Sequence, residues 1–134
     1  MPLEVTPLAK AVQRLREGLA RHQSEPTDEQ LRDGLIHHFE FTYELSHRTL
    51  RRYLAETAAS PDEFARMPFA DLIRAGNAAG LLLAEWAAWR HFRELRSRTS
   101  HTYDAVTAEE VVAAIPGFLA EADHLCTERE RRLR

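Results

Sequence analysis

At 134 residues the chain has the length of one domain, taken here as 1–134, and enough material to bury a proper core. Its 44% hydrophobic and 29% charged content is ordinary for a folded chain, and a formal net charge of -3 with a pI near 6.2 gives no global basic field for nucleic acid. A lone cysteine, Cys126, excludes an internal disulfide and a Cys-based zinc site, no apolar run reaches the length of a membrane span, and no signal pattern opens the chain, so a cytoplasmic protein is predicted.

The first helix is predicted to start at Thr6, with Pro7 at its first position. Leu8, Val12, Leu15 and Leu19 recur at helical steps and make a single buried stripe, while Arg14, Arg16, Glu17 and Arg21 face away. Residues 22–26 read as a loop. Thr27-Asp28-Glu29-Gln30 has the pattern of a capping box and opens a second helix running to about Ala55. Leu31, Leu35, Phe39, Thr42, Leu45, Thr49 and Tyr53 line one face, and Ile36, Tyr43, Leu50 and Leu54 broaden it. A helix apolar on more than one side is a central helix.

Ser60-Pro61-Asp62-Glu63 is another capped start, but Pro68, Gly76 and Gly80 interrupt the segment after it, so a short helical excursion is expected in the 56–81 crossover. A third long helix is predicted over 82–99, with Leu82, Trp86, Trp89 and Phe92 as its stripe. The last is predicted to start with a capping box at Thr107, to kink or break at Pro116, and to fray over 129–134. No strand pattern is present. Four long helices and short connections predict an all-α, antiparallel up-down four-helix bundle with one short extra helix in the crossover.

The stretch Arg96-Ser97-Arg98-Thr99-Ser100-His101-Thr102-Tyr103 puts a guanidinium, an imidazole and a phenol within eight residues. Arg suits phosphate, and His both takes and gives protons near neutral pH. On one continuous helix Arg96 and His101 would point about 140° apart, so they converge better if the helix ends near Ser100, where Thr and Ser accumulate. On spacing alone the stretch reads either as a kit for metal-free phosphodiester cleavage or as a solvated helix end with cations near the negative dipole terminus.

Glu40 and Glu44, four apart on the second helix, lie on one face among large apolar groups. Either they sit in water at the rim of the bundle, or Arg93 or Arg96 answers them. His37 and His38 point about 100° apart and cannot share one ion, so no metal site is expected. Trp86, Trp89 and Phe92, on turns adjoining the Arg-His stretch, suggest an aromatic surface that packs against a second copy in a homodimer.

Two segments together resemble a known family. Arg32-Asp33-Gly34-Leu35-Ile36-His37-His38-Phe39-Glu40-Phe41-Thr42-Tyr43-Glu44-Leu45 resembles the second-helix signature of the nucleotidyltransferase substrate-binding proteins. Arg96-x4-His101-x-Tyr103 is similar to the signature near that family's third long helix. The family belongs to the HEPN superfamily of helical nucleotide-binding bundles. The resemblance implies a homodimeric, metal-independent ribonuclease without a cofactor, acting on RNA as the toxin of a toxin–antitoxin module. Its partner would be a minimal nucleotidyltransferase antitoxin. Carried over, Arg96 and His101 are the catalytic pair and Tyr103 is the residue the partner adenylylates; Ser97, Arg98, Arg93, Glu40 and Glu44 are read as supporting, substrate-binding residues. The residue after the motif Arg is usually Asn in the family and is Ser97 here. The alternatives are a non-catalytic subunit that presents substrate or nucleotide to the transferase, and a plain helical dimer without chemistry.

Overall fold

The computed structural model describes residues 5–132. It contains six α-helices and one 3-10 turn: α1 (Val5–Ser24), α2 (Glu29–Thr57), α3 (Pro61–Ala65), α4 (Phe69–Ala78), α5 (Trp86–Ser97), the turn Thr99–His101, and α6 (Ala105–Arg132). No strand occurs among the described residues. The fold is all-helical, as the periodicity predicts, but the predicted four-long-helix layout needs correction: the crossover holds two helices, and α5 is only 12 residues long. None of the helices is long and apolar enough to cross a membrane, among the described residues.

α1, α2 and α6 pack on one another, and α5 leans on α2, α4 and α6. Leu8, Val12 and Leu15 of α1 are buried, as are Leu35, Phe39, Thr42, Tyr43, Leu50 and Tyr53 of α2, which matches the two predicted faces. Gly18 and Thr42 mark where α1 and α2 come close, and the Thr42 hydroxyl lies 2.7 Å from the His38 carbonyl and 3.3 Å from that of Ala11. The centre is aromatic. Phe118 packs edge-on against Phe39 at 5.1 Å and Phe92 at 5.4 Å, and Trp89 meets Phe92 at 5.5 Å, the arrangement ring quadrupoles favour. Burial in this cluster pushes the Tyr43 phenol up to about 12.

These rings overturn the aromatic-surface argument for a homodimer. Trp89 is 1% and Phe92 6% exposed, so both are used inside the protomer, and the part-exposed Trp86 packs on Phe69 at 5.7 Å.

α1 is already helical at Val5, the first described residue. Two other helix starts depart from the sequence expectation for a local reason. At α2 the cap is Asp28, not Thr27, and its carboxylate accepts from the backbone N–H of Gln30 at 2.9 Å and Leu31 at 3.1 Å. At α6 Asp104 takes the role predicted for Thr107. It accepts from the Val106 N–H at 3.2 Å and from the Thr107 hydroxyl at 3.1 Å, so the helix is capped three residues early. Pro116 does not break α6: it sits on an exposed face while Ile115 and Phe118 beside it are fully buried and hold the helix. The predicted frayed tail is also corrected. Arg129 is 1% exposed, its guanidinium lying 5.4 Å over the Tyr53 ring, and Glu128 binds both Arg131 and Arg132. Leu133 and Arg134 lie outside the described residues.

The start of α5 at Trp86, not Leu82, is explained by side chains that satisfy an irregular backbone. One carboxylate oxygen of the buried Glu121 accepts from both the Leu83 N–H and the Trp89 indole N–H, each at 3.0 Å. Asn77 donates to the Ala84 carbonyl at 2.9 Å. Gly80, at φ 76°, makes the preceding turn, and His124 donates to its carbonyl at 3.1 Å.

The crossover is tied to α2 by Arg51, which donates to the carbonyls of Phe64 at 2.7 Å and Met67 at 2.9 Å. The same guanidinium donates to the His47 ring at 3.1 Å, and that ring stands edge-on to Phe69 at 4.8 Å. Burial, then the Arg51 charge, hold the His47 pKa below its ordinary value. The folded state therefore favours the neutral ring. That contribution is complete above the unfolded value of 6.5 and is lost as pH falls from there through the lower folded value. Thermal melts from neutral to mildly acidic pH are expected to show a falling midpoint that flattens in His47→Gln; equal pH slopes would refute this.

Candidate functional site

α5 ends at Ser97 because its last hydroxyls turn back on the helix. The Ser97 hydroxyl donates to the Glu94 carbonyl at 2.6 Å, and that of Thr99 to the Arg96 carbonyl at 2.8 Å. A 3-10 turn comes next, so Arg96 lies in the last turn of α5 and His101 at the end of the next element. The predicted interruption between the two residues is present, three residues earlier than Ser100.

Arg96 reaches across to α2. Its Nη1 lies 3.5 Å from Glu40 Oε2 and its Nε 3.3 Å from Glu44 Oε1, and Nη1 also donates to the Thr99 hydroxyl at 3.4 Å. The Nε–Glu44 contact is too bent to be a hydrogen bond, so the pairing is chiefly Coulombic. Glu40 is 32% and Glu44 44% exposed, so each carboxylate keeps water on one side, where such pairs are weak and exchangeable.

Of the two cations that sequence offered for these carboxylates, the structure selects Arg96. Arg93 lies over the Phe69 ring, 5.3 Å from its centroid, and Arg98 binds Glu110 of α6 at 3.0 Å. Ser97 is turned onto its own helix. His101 is exposed, with its ring 6.1 Å from that of Tyr103, and Tyr103 is 87% exposed. Among the described residues no hydrogen bond or ion pair joins His101 to Arg96.

Arg96, Glu40 and Glu44 line a cavity of about 220 Å³ together with His37, Phe41 and Arg48. Arg48 was missed from sequence, although a signal exists: Glu40, Glu44 and Arg48 recur at four-residue steps and share a face of α2. No three His, Cys, Asp or Glu side chains are grouped so as to hold a metal ion, among the described residues. Cys126 is buried on α6, and burial, then Glu130 and Asp123, raise its thiol pKa.

The all-helical protein carries an Arg-x4-His motif that straddles a helix end, with Arg96 answered by Glu40 and Glu44 of the second helix. A family model described as nucleotidyltransferase substrate binding protein like matches residues 3–131, and the chain belongs to that family. It is 36% identical over 99 residues to a Haemophilus influenzae protein named probable ribonuclease HepT, covering 74% of this chain and 67% of that one. A solved Haemophilus influenzae structure superposes with a TM-score of 0.85 at 30% identity, over 92% of this chain and 96% of the other. That structure is described as the fold of a substrate binding domain of a nucleotidyltransferase.

Proposed function

We propose that this protein is a metal-independent endoribonuclease, the toxin of a toxin–antitoxin pair, silenced when a partner minimal nucleotidyltransferase adenylylates Tyr103. The carrying observation is the junction itself: Arg96 anchored beside a cavity on α2, with His101 and Tyr103 exposed on the adjoining turn. His101 takes the proton of a ribose 2′-OH, whose oxygen attacks the adjacent phosphorus. The bond to the 5′-oxygen breaks, that oxygen receives a proton, and a cyclic phosphate remains. Arg96 leaves its carboxylates to stabilise the charge that develops on the phosphoryl oxygens. One protomer supplies one such imidazole. The reading therefore includes a homodimer, which brings a second His101 to serve as the acid, and takes α1, α2, α5 and α6 as an antiparallel up-down bundle.

The engagement of Arg96 by two carboxylates favours a second reading, a non-catalytic subunit that presents nucleotide or substrate to the transferase. The two readings separate in one experiment. Purified protein is incubated with RNA in the presence of a chelator, before and after co-expression with the nucleotidyltransferase. The ribonuclease reading expects cleavage that is lost after co-expression, with a mass gain of one or more AMP units on the peptide containing Tyr103. Tyr103→Phe should gain no mass and stay active. Absence of cleavage by pure, folded protein would favour the second reading, and an adduct on another residue would move the switch elsewhere.

A further inference from the structure

The cavity beside Arg96 does not end there. His37 and Phe41 also line a second groove, of about 440 Å³, between α1 and α2, whose rim carries Lys10, Arg14 and His38. The two hollows thus adjoin at His37 and Phe41 on one face. Arg48 marks the end near Arg96, and Lys10 and Arg14 mark the far end. Arg48 and His37 are eleven residues apart on α2, roughly 16 Å along the helix, which is room for a few nucleotides.

The charges of this face are unbalanced. Glu40 and Glu44 are paired with Arg96, while Glu17 keeps its charge and only accepts from the neutral Gln13 amide at 2.9 Å. Lys10, Arg14 and Arg48 are exposed and make no ion pair among the described residues. A chain with a net charge of -3 therefore presents three unengaged cations in line with the motif. Between them stands Phe41, 54% exposed on an otherwise mostly buried aromatic set. Cations spaced along a groove with an exposed aromatic ring between them match a strand whose phosphates are regular and whose bases are free to stack. A duplex, with its bases already stacked inside, has no use for that ring.

We propose that the α1–α2 face is the track for single-stranded RNA, with Lys10, Arg14 and Arg48 on its phosphates and Phe41 stacked on a base. This rests on the reading of RNA as the substrate and assigns the surface that delivers it to Arg96 and His101. Affinity comes from the track, so the site itself need make few contacts with the strand, and substrate choice falls on strandedness more than on sequence.

The test is equilibrium binding of a fluorescein-labelled single-stranded RNA oligonucleotide, followed by anisotropy, to the full chain carrying His101→Ala so that the RNA stays intact. Adding Lys10→Glu and Arg14→Glu is expected to raise Kd by on the order of 10-fold or more. The milder Lys10→Gln with Arg14→Gln should lower the slope of log affinity against log salt by about 1.4, two cations' worth on a single strand. Phe41→Ala is expected to raise Kd on the order of 10-fold with the salt slope unchanged. Matched duplex RNA should bind more weakly than the single strand. All of these residues are exposed, so circular dichroism should be unchanged. The proposal is overturned if the parent does not bind the oligonucleotide, or if the variants bind as tightly as it does. It is also overturned if light scattering shows that they alter the oligomeric state, which would make the face a contact between copies. Because binding is read without cleavage, the two readings can fail separately. An RNA held on this face but never cut by the chain with His101 intact sinks only the ribonuclease. Cleavage with binding undiminished in the variants sinks only the track.

Discussion

His101→Ala is expected to lower RNA cleavage by on the order of 10² or more while leaving the helical spectrum and melting temperature of the protein unchanged. The ring is exposed, makes no side-chain hydrogen bond or ion pair among the described residues and neighbours only the exposed Tyr103 ring, so its removal takes away a proton carrier and no core packing. Arg96→Ala is expected to cost at least as much activity, because it removes the cation that faces the developing charge. It differs in a second readout. Without Arg96, Glu40 and Glu44 stand on one face of α2 as an unanswered like-charge pair, so a small loss of stability should accompany the loss of rate. Adding Glu44→Gln should restore the melting temperature and leave the activity absent. Undiminished cleavage by either folded single variant would remove the assigned roles.

The second large effect concerns stability. Glu121→Ala should destabilise the protein by about 1–3 kcal/mol, since it leaves the buried Trp89 indole N–H and the part-buried Leu83 N–H without their shared acceptor. The midpoint of thermal unfolding should fall by on the order of 10 °C. Glu121→Gln keeps a carbonyl oxygen in the same place and should lose far less. A chemical denaturation series on both variants checks this. Equal losses would mean that the negative charge matters, not the shared acceptor.

Much of the fold was legible because apolar periodicity is a local signal. Leu8, Val12 and Leu15, or Leu35, Phe39 and Thr42, declare their buried faces from spacing alone. The helix ends were less legible, because neighbouring caps compete. Asp28 and Asp104 displaced Thr27 and Thr107 as first acceptors, and sequence ranks such residues almost equally. The late start of α5 was invisible, since it depends on Glu121, which lies 38 residues beyond the Leu83 it serves. The burial of Trp89 and Phe92, and with it the failure of the aromatic-surface argument, is likewise a tertiary outcome. At the site, spacing gave Glu40 and Glu44 a common face and offered two arginines. Only packing could choose Arg96, because Arg93 is drawn to Phe69 by a contact between distant segments. Arg48 was legible by its four-residue step and passed unnoticed because the motif contains no such residue.

The junction between α5 and the 3-10 turn also sets how the chain tolerates changes of length. Between Arg96 and His101 only Ser97 and Ser100 are exposed, and each residue inserted there adds roughly 100–120° of rotation in helical backbone. One residue gained or lost there would swing His101 about a third of a turn around the axis while the carboxylates of α2 hold Arg96 in place. The exposed loop between α1 and α2 carries no such phase relation. Insertions should therefore be tolerated there, and rejected between Arg96 and His101 even though the protein would still fold.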